Sequence, residues 1–225
     1  MKLNAKSCTI IAALAVFIGL PLLIYALGDF PRRSVLKETI SILTLLFFSL
    51  MLAQFFMARS NEPLLKLFKP KQIQNVHKVI SYTAVGFILL HPFFIVLPRY
   101  FEGGVKPLDA FVTMITTFDS LGILLGIGAW VLLLLMTITA IFRIGLIKRL
   151  QVKYPVWRYF HGGLAVVFVI LAVWHAIELG RHTDTAMSVY FITLPVIGVA
   201  LLGRYYWRTI PHKTAKAPAI QGAKS

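Results

Sequence analysis

Acidic residues are scarce in this 225-residue chain, eight against 23 Lys and Arg, and charged residues of either sign make up only 14%. A soluble domain of this size needs more charge than that to cover its surface. Cysteine occurs once, at Cys8. That excludes an internal disulfide and any thiolate-held metal cluster, and the lack of a CxxC or CxxCH sequence excludes covalent heme attachment. It also leaves the redox compartment unread. There is no glycine-rich nucleotide loop, and no internal repeat beyond the paired histidines described below. Apolar residues, by contrast, are plentiful: 58% of the chain is hydrophobic and the mean hydropathy is +0.80. An integral membrane protein is the class this composition defines.

Six apolar runs stand out: Cys8 to Leu27, Thr39 to Ala58, Val76 to Leu97, Leu121 to Phe142, Val156 to Glu178 and Met187 to Trp207. Each is near the ~20 residues that cross ~30 Å of hydrocarbon. They are continuous rather than alternating, and lipid admits only helices or closed barrels, so the expected fold is an all-α six-helix transmembrane bundle with short polar loops. The first run also resembles a secretory signal, with Lys2 and Lys6 before it and "ALG" after it. It is longer than a typical signal core and lacks a clean A-x-A site, so an uncleaved helix is expected. The N-terminus, the second and fourth loops and the tail carry seventeen of the 23 Lys and Arg. By the positive-inside rule both termini are cytoplasmic, in an inner (cytoplasmic) membrane. The same placement at helix ends argues for membrane anchoring, not for nucleic-acid binding, as the use of the basic charge.

The third run contains "HKVISYTAVGFILLHP" and the fifth "WRYFHGGLAVVFVILAVWH". Each thus carries two histidines fourteen residues apart, His77 with His91 and His161 with His175. On a straight helix that separation rises about 21 Å and comes to within ~40° of four full turns, which puts each pair on one face near opposite leaflets. The two helices run in the same direction, so His77 can face His161 and His91 can face His175. Imidazole is a common axial ligand of heme iron, and two helices can hold the ring between them. Two hemes between the third and fifth helices follow. A single membrane histidine is more often a packing residue or proton relay. Two pairs at equal spacing favour ligation, and other metal ions are disfavoured because no carboxylate or thiolate sits with the pairs. Ala165, Phe168 and Ala172 follow His161 along its face, and Ser81, Ala84 and Ile88 follow His77. Phe168, midway between the histidines of its helix, is expected between the two hemes, as an electron conduit or as ordinary packing. Gly86, Gly162 and Gly163 offer clearance or helix contact. Pro92 is expected to bend the third helix. Lys78 and Arg158 at one end, and Arg99 and Arg181 at the other, stand as propionate partners or interfacial anchors. His182, in an external loop, and His212, in the tail, read as solvated and take no role.

Six helices with these two histidine pairs resemble the ferric reductase-like transmembrane domain, a superfamily that includes ferric reductases, NADPH oxidases and bacterial flavin-linked relatives. The likeness covers residues 1 to 208. It implies a membrane oxidoreductase with two b-type hemes, His77 and His161 matching the inner ligands and His91 and His175 the outer. It implies single electrons carried from a cytoplasmic flavin to an acceptor at the outer face, such as a ferric chelate or oxygen. Many members continue into a domain for FAD and a nicotinamide nucleotide. Here residues 209 to 225 are short and polar and are expected to form a disordered basic tail. Flavin, as FAD or FMN, is therefore expected only on a partner flavoprotein, with a quinol as the other possible donor. Two other classes stay open: a heme-bearing anchor subunit of a larger redox complex, and a non-redox transporter or proton channel using the histidines.

Overall fold

The computed structural model describes residues 4–118 and 120–209, and every regular element among them is a helix. Six are long and apolar enough to cross a membrane: Ala5–Leu27, Val35–Phe56, Pro70–Gly103, Leu121–Ile141, Tyr154–Leu179 and Thr185–Thr209. They are the first to sixth spans of a multi-pass membrane protein.

The starts of these helices are set by polar caps that hydropathy does not register. Side-chain oxygens of Asn4, Ser34, Ser120 and Asp184 accept from the backbone N–H three residues on, that of Ser7, Lys37, Ile123 and Met187 respectively. Each satisfies a donor that a helix N-terminus would otherwise leave open. The third span begins earlier than its apolar run, at Pro70, and is 34 residues long. Proline suits a first turn because it has no amide to satisfy, and the Lys69 N–H donates to the Gln72 side chain at 3.0 Å. Gly104, at φ +67, closes the same helix in the left-handed conformation.

The connections are more structured than the short polar loops expected. Three of them hold helices, Glu62–Leu67, Pro107–Thr116 and Arg143–Arg149. Pro107–Thr116 is too short to span, yet Ala110, Phe111 and Met114 lie at helical spacing on its inward side, with Ala110 buried and Phe111 stacked on Phe93 of the third span at 4.4 Å. That apolar stripe folds the segment back against the bundle.

Two π turns interrupt the α pattern, Ala15–Gly19 in the first span and Ser81–Val85 in the third. A π turn takes in an extra residue and leaves carbonyls off the α ladder. Those of the first span are taken up by its neighbours: the Tyr190 hydroxyl donates to the Val16 carbonyl at 3.0 Å and the Ser49 hydroxyl to that of Phe17 at 2.7 Å. The first, second and sixth spans are thereby tied together in a region where water cannot supply the bonds.

The second span packs on the first, third and sixth, while the fourth and fifth form the closest pair. Leu52, Leu133, Val169, Met187 and Phe191 are almost fully buried where these groups meet. Gly162 serves packing between spans: a Cβ there would overlap the Tyr206 ring of the sixth span, whose hydroxyl donates to the Arg158 carbonyl at 3.0 Å. A Cβ on Gly86 or Gly163 would meet nothing within 4 Å. The tail expected from 209 onward, with His212, lies outside the described residues apart from Thr209, the last residue of the sixth span.

Candidate functional site

All four histidines lie within the third and fifth spans and are half-buried. His77 comes within electrostatic reach of His161, and His91 within reach of His175. The third span rests mainly on the second and the fifth on the fourth and sixth, with no extensive backbone contact between third and fifth.

The surroundings of the His91 and His175 rings decide which nitrogen each presents. His175 Nδ1 lies 2.7 Å from the Gly122 carbonyl of the fourth span. A carbonyl can only accept, so Nδ1 carries the hydrogen and Nε2 keeps its lone pair. His91 Nδ1 lies 3.3 Å from Thr44 Oγ1 of the second span. The Thr44 hydroxyl also lies 2.7 Å from the Ile40 carbonyl; with its hydrogen donated there it accepts from His91, whose ring then takes the same tautomer. Both rings thus keep the Nε2 lone pair a metal would take, with Nδ1–H engaged behind it, as metal-ligating histidines are ordinarily held. At the other pair, His161 Nδ1 is buried with no hydrogen-bond partner, and its ring lies 5.6 Å from that of Trp157.

Glycine on the fourth span makes the His175 geometry possible. An added Cβ at Gly126 would lie 2.5 Å from His175 Cε1 and 2.6 Å from Nδ1. Gly122 and Gly126 form a G-x-x-x-G face on which the ring is laid. Neither these glycines nor Thr44 was singled out from sequence. The signals were present, a spaced glycine pair and a lone hydroxyl in an apolar run, but both patterns also belong to ordinary membrane-helix packing.

Glu178, one turn from His175, turns away: it is exposed and accepts from Trp174 Nε1 at 3.2 Å. Phe168 is buried in the core with Ala84, Val169 and Ala172. Arg158 donates to the Tyr205 hydroxyl at 2.8 Å and Arg181 to the Pro31 carbonyl at 3.2 Å, so both are engaged within the chain. Lys78 and Arg99 are exposed.

His182 corrects an expectation. It is not solvated but 5% exposed, with its ring between those of Tyr25 at 4.8 Å and Phe30 at 5.1 Å. Its Nε2 lies 3.5 Å from Glu38 Oε2 and 3.4 Å from Arg33 Nη2. Arg33 also donates to Glu38 at 3.0 Å and to Ser41 at 2.6 Å, and the Tyr25 hydroxyl donates to Glu38. Burial pushes the His182 imidazole below its ordinary pKa; Glu38 opposes that, and Arg33, Arg181 and Arg32 add to it. Glu38, at the start of the second span, is the residue that folds this loop inward, since a carboxylate near lipid needs partners.

Six helical spans, two of them carrying a pair of half-buried histidines, define the class: a polytopic helical membrane protein with imidazoles within its spans. Residues 43–172 match the family model for the ferric reductase like transmembrane component. A protein of Archaeoglobus fulgidus, described only as uncharacterized, is 39% identical over 164 residues, 73% of this chain and 87% of that one. The chain belongs to the ferric reductase like transmembrane component family. His77, His91, His161 and Phe168 fall inside the matched segment, and His175 lies three residues beyond it. No solved structure matches the chain.

Proposed function

We propose that the chain is a diheme b-type cytochrome that carries electrons across the membrane from a cytoplasmic flavoprotein, or a quinol, to an acceptor at the outer face such as a ferric chelate or oxygen. The observation that carries this reading is that Nδ1 of both His91 and His175 is engaged within the chain, by Thr44 and by the Gly122 carbonyl, which leaves Nε2 as the nitrogen open to a ligand role. His91 and His175 would hold one heme and His77 and His161 the other. Bound there, heme would supply reversible one-electron reduction at its iron.

The remaining work falls to the chain. The Gly122 carbonyl and Thr44 orient the outer imidazoles, and the apolar walls of the spans exclude water. Phe168 fills the interior midway along the fifth span. Basic side chains crowd the ends of the helices nearest His77 and His161, with Lys66, Lys69, Lys71, Lys148, Arg149 and Lys153 exposed. By the positive-inside rule that face is cytoplasmic, and it would speed the docking of an acidic flavoprotein.

Purified with its cofactor, the protein is expected to give a pyridine hemochrome ratio of two hemes per chain, both low-spin. His91→Ala or His175→Ala is expected to remove chiefly the outer heme, and His77→Ala or His161→Ala the inner. No reducible b-type spectrum, or a ratio near one, would sink the diheme reading. In vesicles of known orientation, a reduced flavoprotein on the cytoplasmic side should reduce the protein and an impermeant ferric chelate outside should reoxidise it. If donation works only from the outer side, the direction proposed here is reversed.

A further inference from the structure

Thr44 lies on the second span, outside the two histidine-bearing helices, yet its hydroxyl faces a ring of the candidate site. Oγ1 is 2.7 Å from the Ile40 carbonyl one turn back and 3.3 Å from His91 Nδ1. A membrane-helix threonine commonly satisfies itself on the preceding turn, as Thr137 does here at 2.7 Å from the Leu133 carbonyl. What sets Thr44 apart is that its hydroxyl, with the Ile40 carbonyl to donate to, also lies within hydrogen-bond distance of an imidazole nitrogen. In a span from which water is excluded, that nitrogen has no solvent alternative.

We infer that Thr44 is a positioning residue for the outer heme: it holds His91 with Nε2 toward the iron and, by accepting from Nδ1–H, makes the imidazole a stronger electron donor. The inference rests on the diheme reading above. A ligand whose second nitrogen donates a hydrogen bond gains imidazolate character, which favours ferric over ferrous iron and lowers the potential. The Gly122 carbonyl does the same for His175 at 2.7 Å, but a backbone oxygen cannot be removed by substitution. Thr44 is the half of this arrangement open to test.

Thr44→Val keeps the shape and removes the acceptor, whereas Thr44→Ser keeps the acceptor and removes a methyl. Spectroelectrochemical titration of the intact protein resolves the two hemes, and the component missing in His175→Ala identifies the outer one. The expected result is an outer-heme midpoint shifted upward in Thr44→Val, an inner-heme midpoint unchanged, and a wild-type outer midpoint in Thr44→Ser. The low-spin EPR signal of the outer heme should shift in Thr44→Val alone, since the ring is then free to turn. Loss of only the outer heme in Thr44→Val, with Thr44→Ser normal, also supports the assignment. If Thr44→Val does not insert, Thr44→Ala is read in its place with the same expected upward shift. An unshifted outer midpoint in the valine or alanine variant, or a serine variant indistinguishable from it, overturns the assignment. A wild-type protein without b heme overturns the diheme reading and this inference with it, while a normal wild type with an unresponsive Thr44→Val overturns the inference alone.

Discussion

His175 is laid so closely on the fourth span that position 126 has no room for a side chain. Gly126→Ala is therefore expected to push the ring off the Gly122 carbonyl and to lower the heme content to about one per chain, measured by pyridine hemochrome, with the inner heme kept. At His182 the prediction concerns pH. Its folded pKa lies below the ordinary value, so the unfolded chain takes up a proton first, and stability is full above the ordinary histidine range and falls as pH drops through it. Thermal unfolding in detergent should show a lower midpoint at pH 5.5 than at pH 8, and His182→Asn should flatten part of that difference. An equally steep profile in the variant would mean that another group carries it. The four candidate histidines stand out in the sequence because equal spacing on two apolar runs is rare by chance. His182 does not, because its burial depends on Glu38, Arg33 and Tyr25, which come from other parts of the chain.

At the level of the helix, length and hydropathy were enough to find all six spans, since crossing a membrane imposes both. The boundaries were less legible because caps such as Ser120 and Asp184 act through single hydrogen bonds. The π turns were not legible at all, and the straight-helix arithmetic applied to His77 and His91 does not hold across Ser81–Val85. The turn in the first span carries its own test. Ser49→Ala and Tyr190→Phe each leave a carbonyl of that turn without its donor, and each is expected to destabilise the protein by about 1 kcal/mol. A thermal midpoint a few degrees lower with an unchanged heme spectrum is the expected outcome. Unchanged midpoints in both variants would show that the first span is held by packing alone.

Across the whole molecule, the fourth and fifth spans form one close pair and the second gathers the first, third and sixth. The histidines of the third span thus belong to one group of helices and those of the fifth to the other. Hydropathy cannot reveal this grouping; it follows from Gly122, Gly126 and the hydrogen bonds of Ser49 and Tyr190. One part of the third span bears on the relation between its two ends. The π turn at Ser81–Val85 behaves as a single residue that the helix has absorbed between His77 and His91. Deleting one residue there would let the helix close into an unbroken α form, at little expense in backbone bonding. Because the π turn already takes up that residue within about one turn, everything beyond the deletion would keep nearly its present orientation. His91 would then stay within reach of Thr44, and His77 would stay where it is. The one-residue deletion should therefore yield a membrane-inserted protein that keeps both hemes, and loss of the outer one would show that the π turn itself is needed to hold His91.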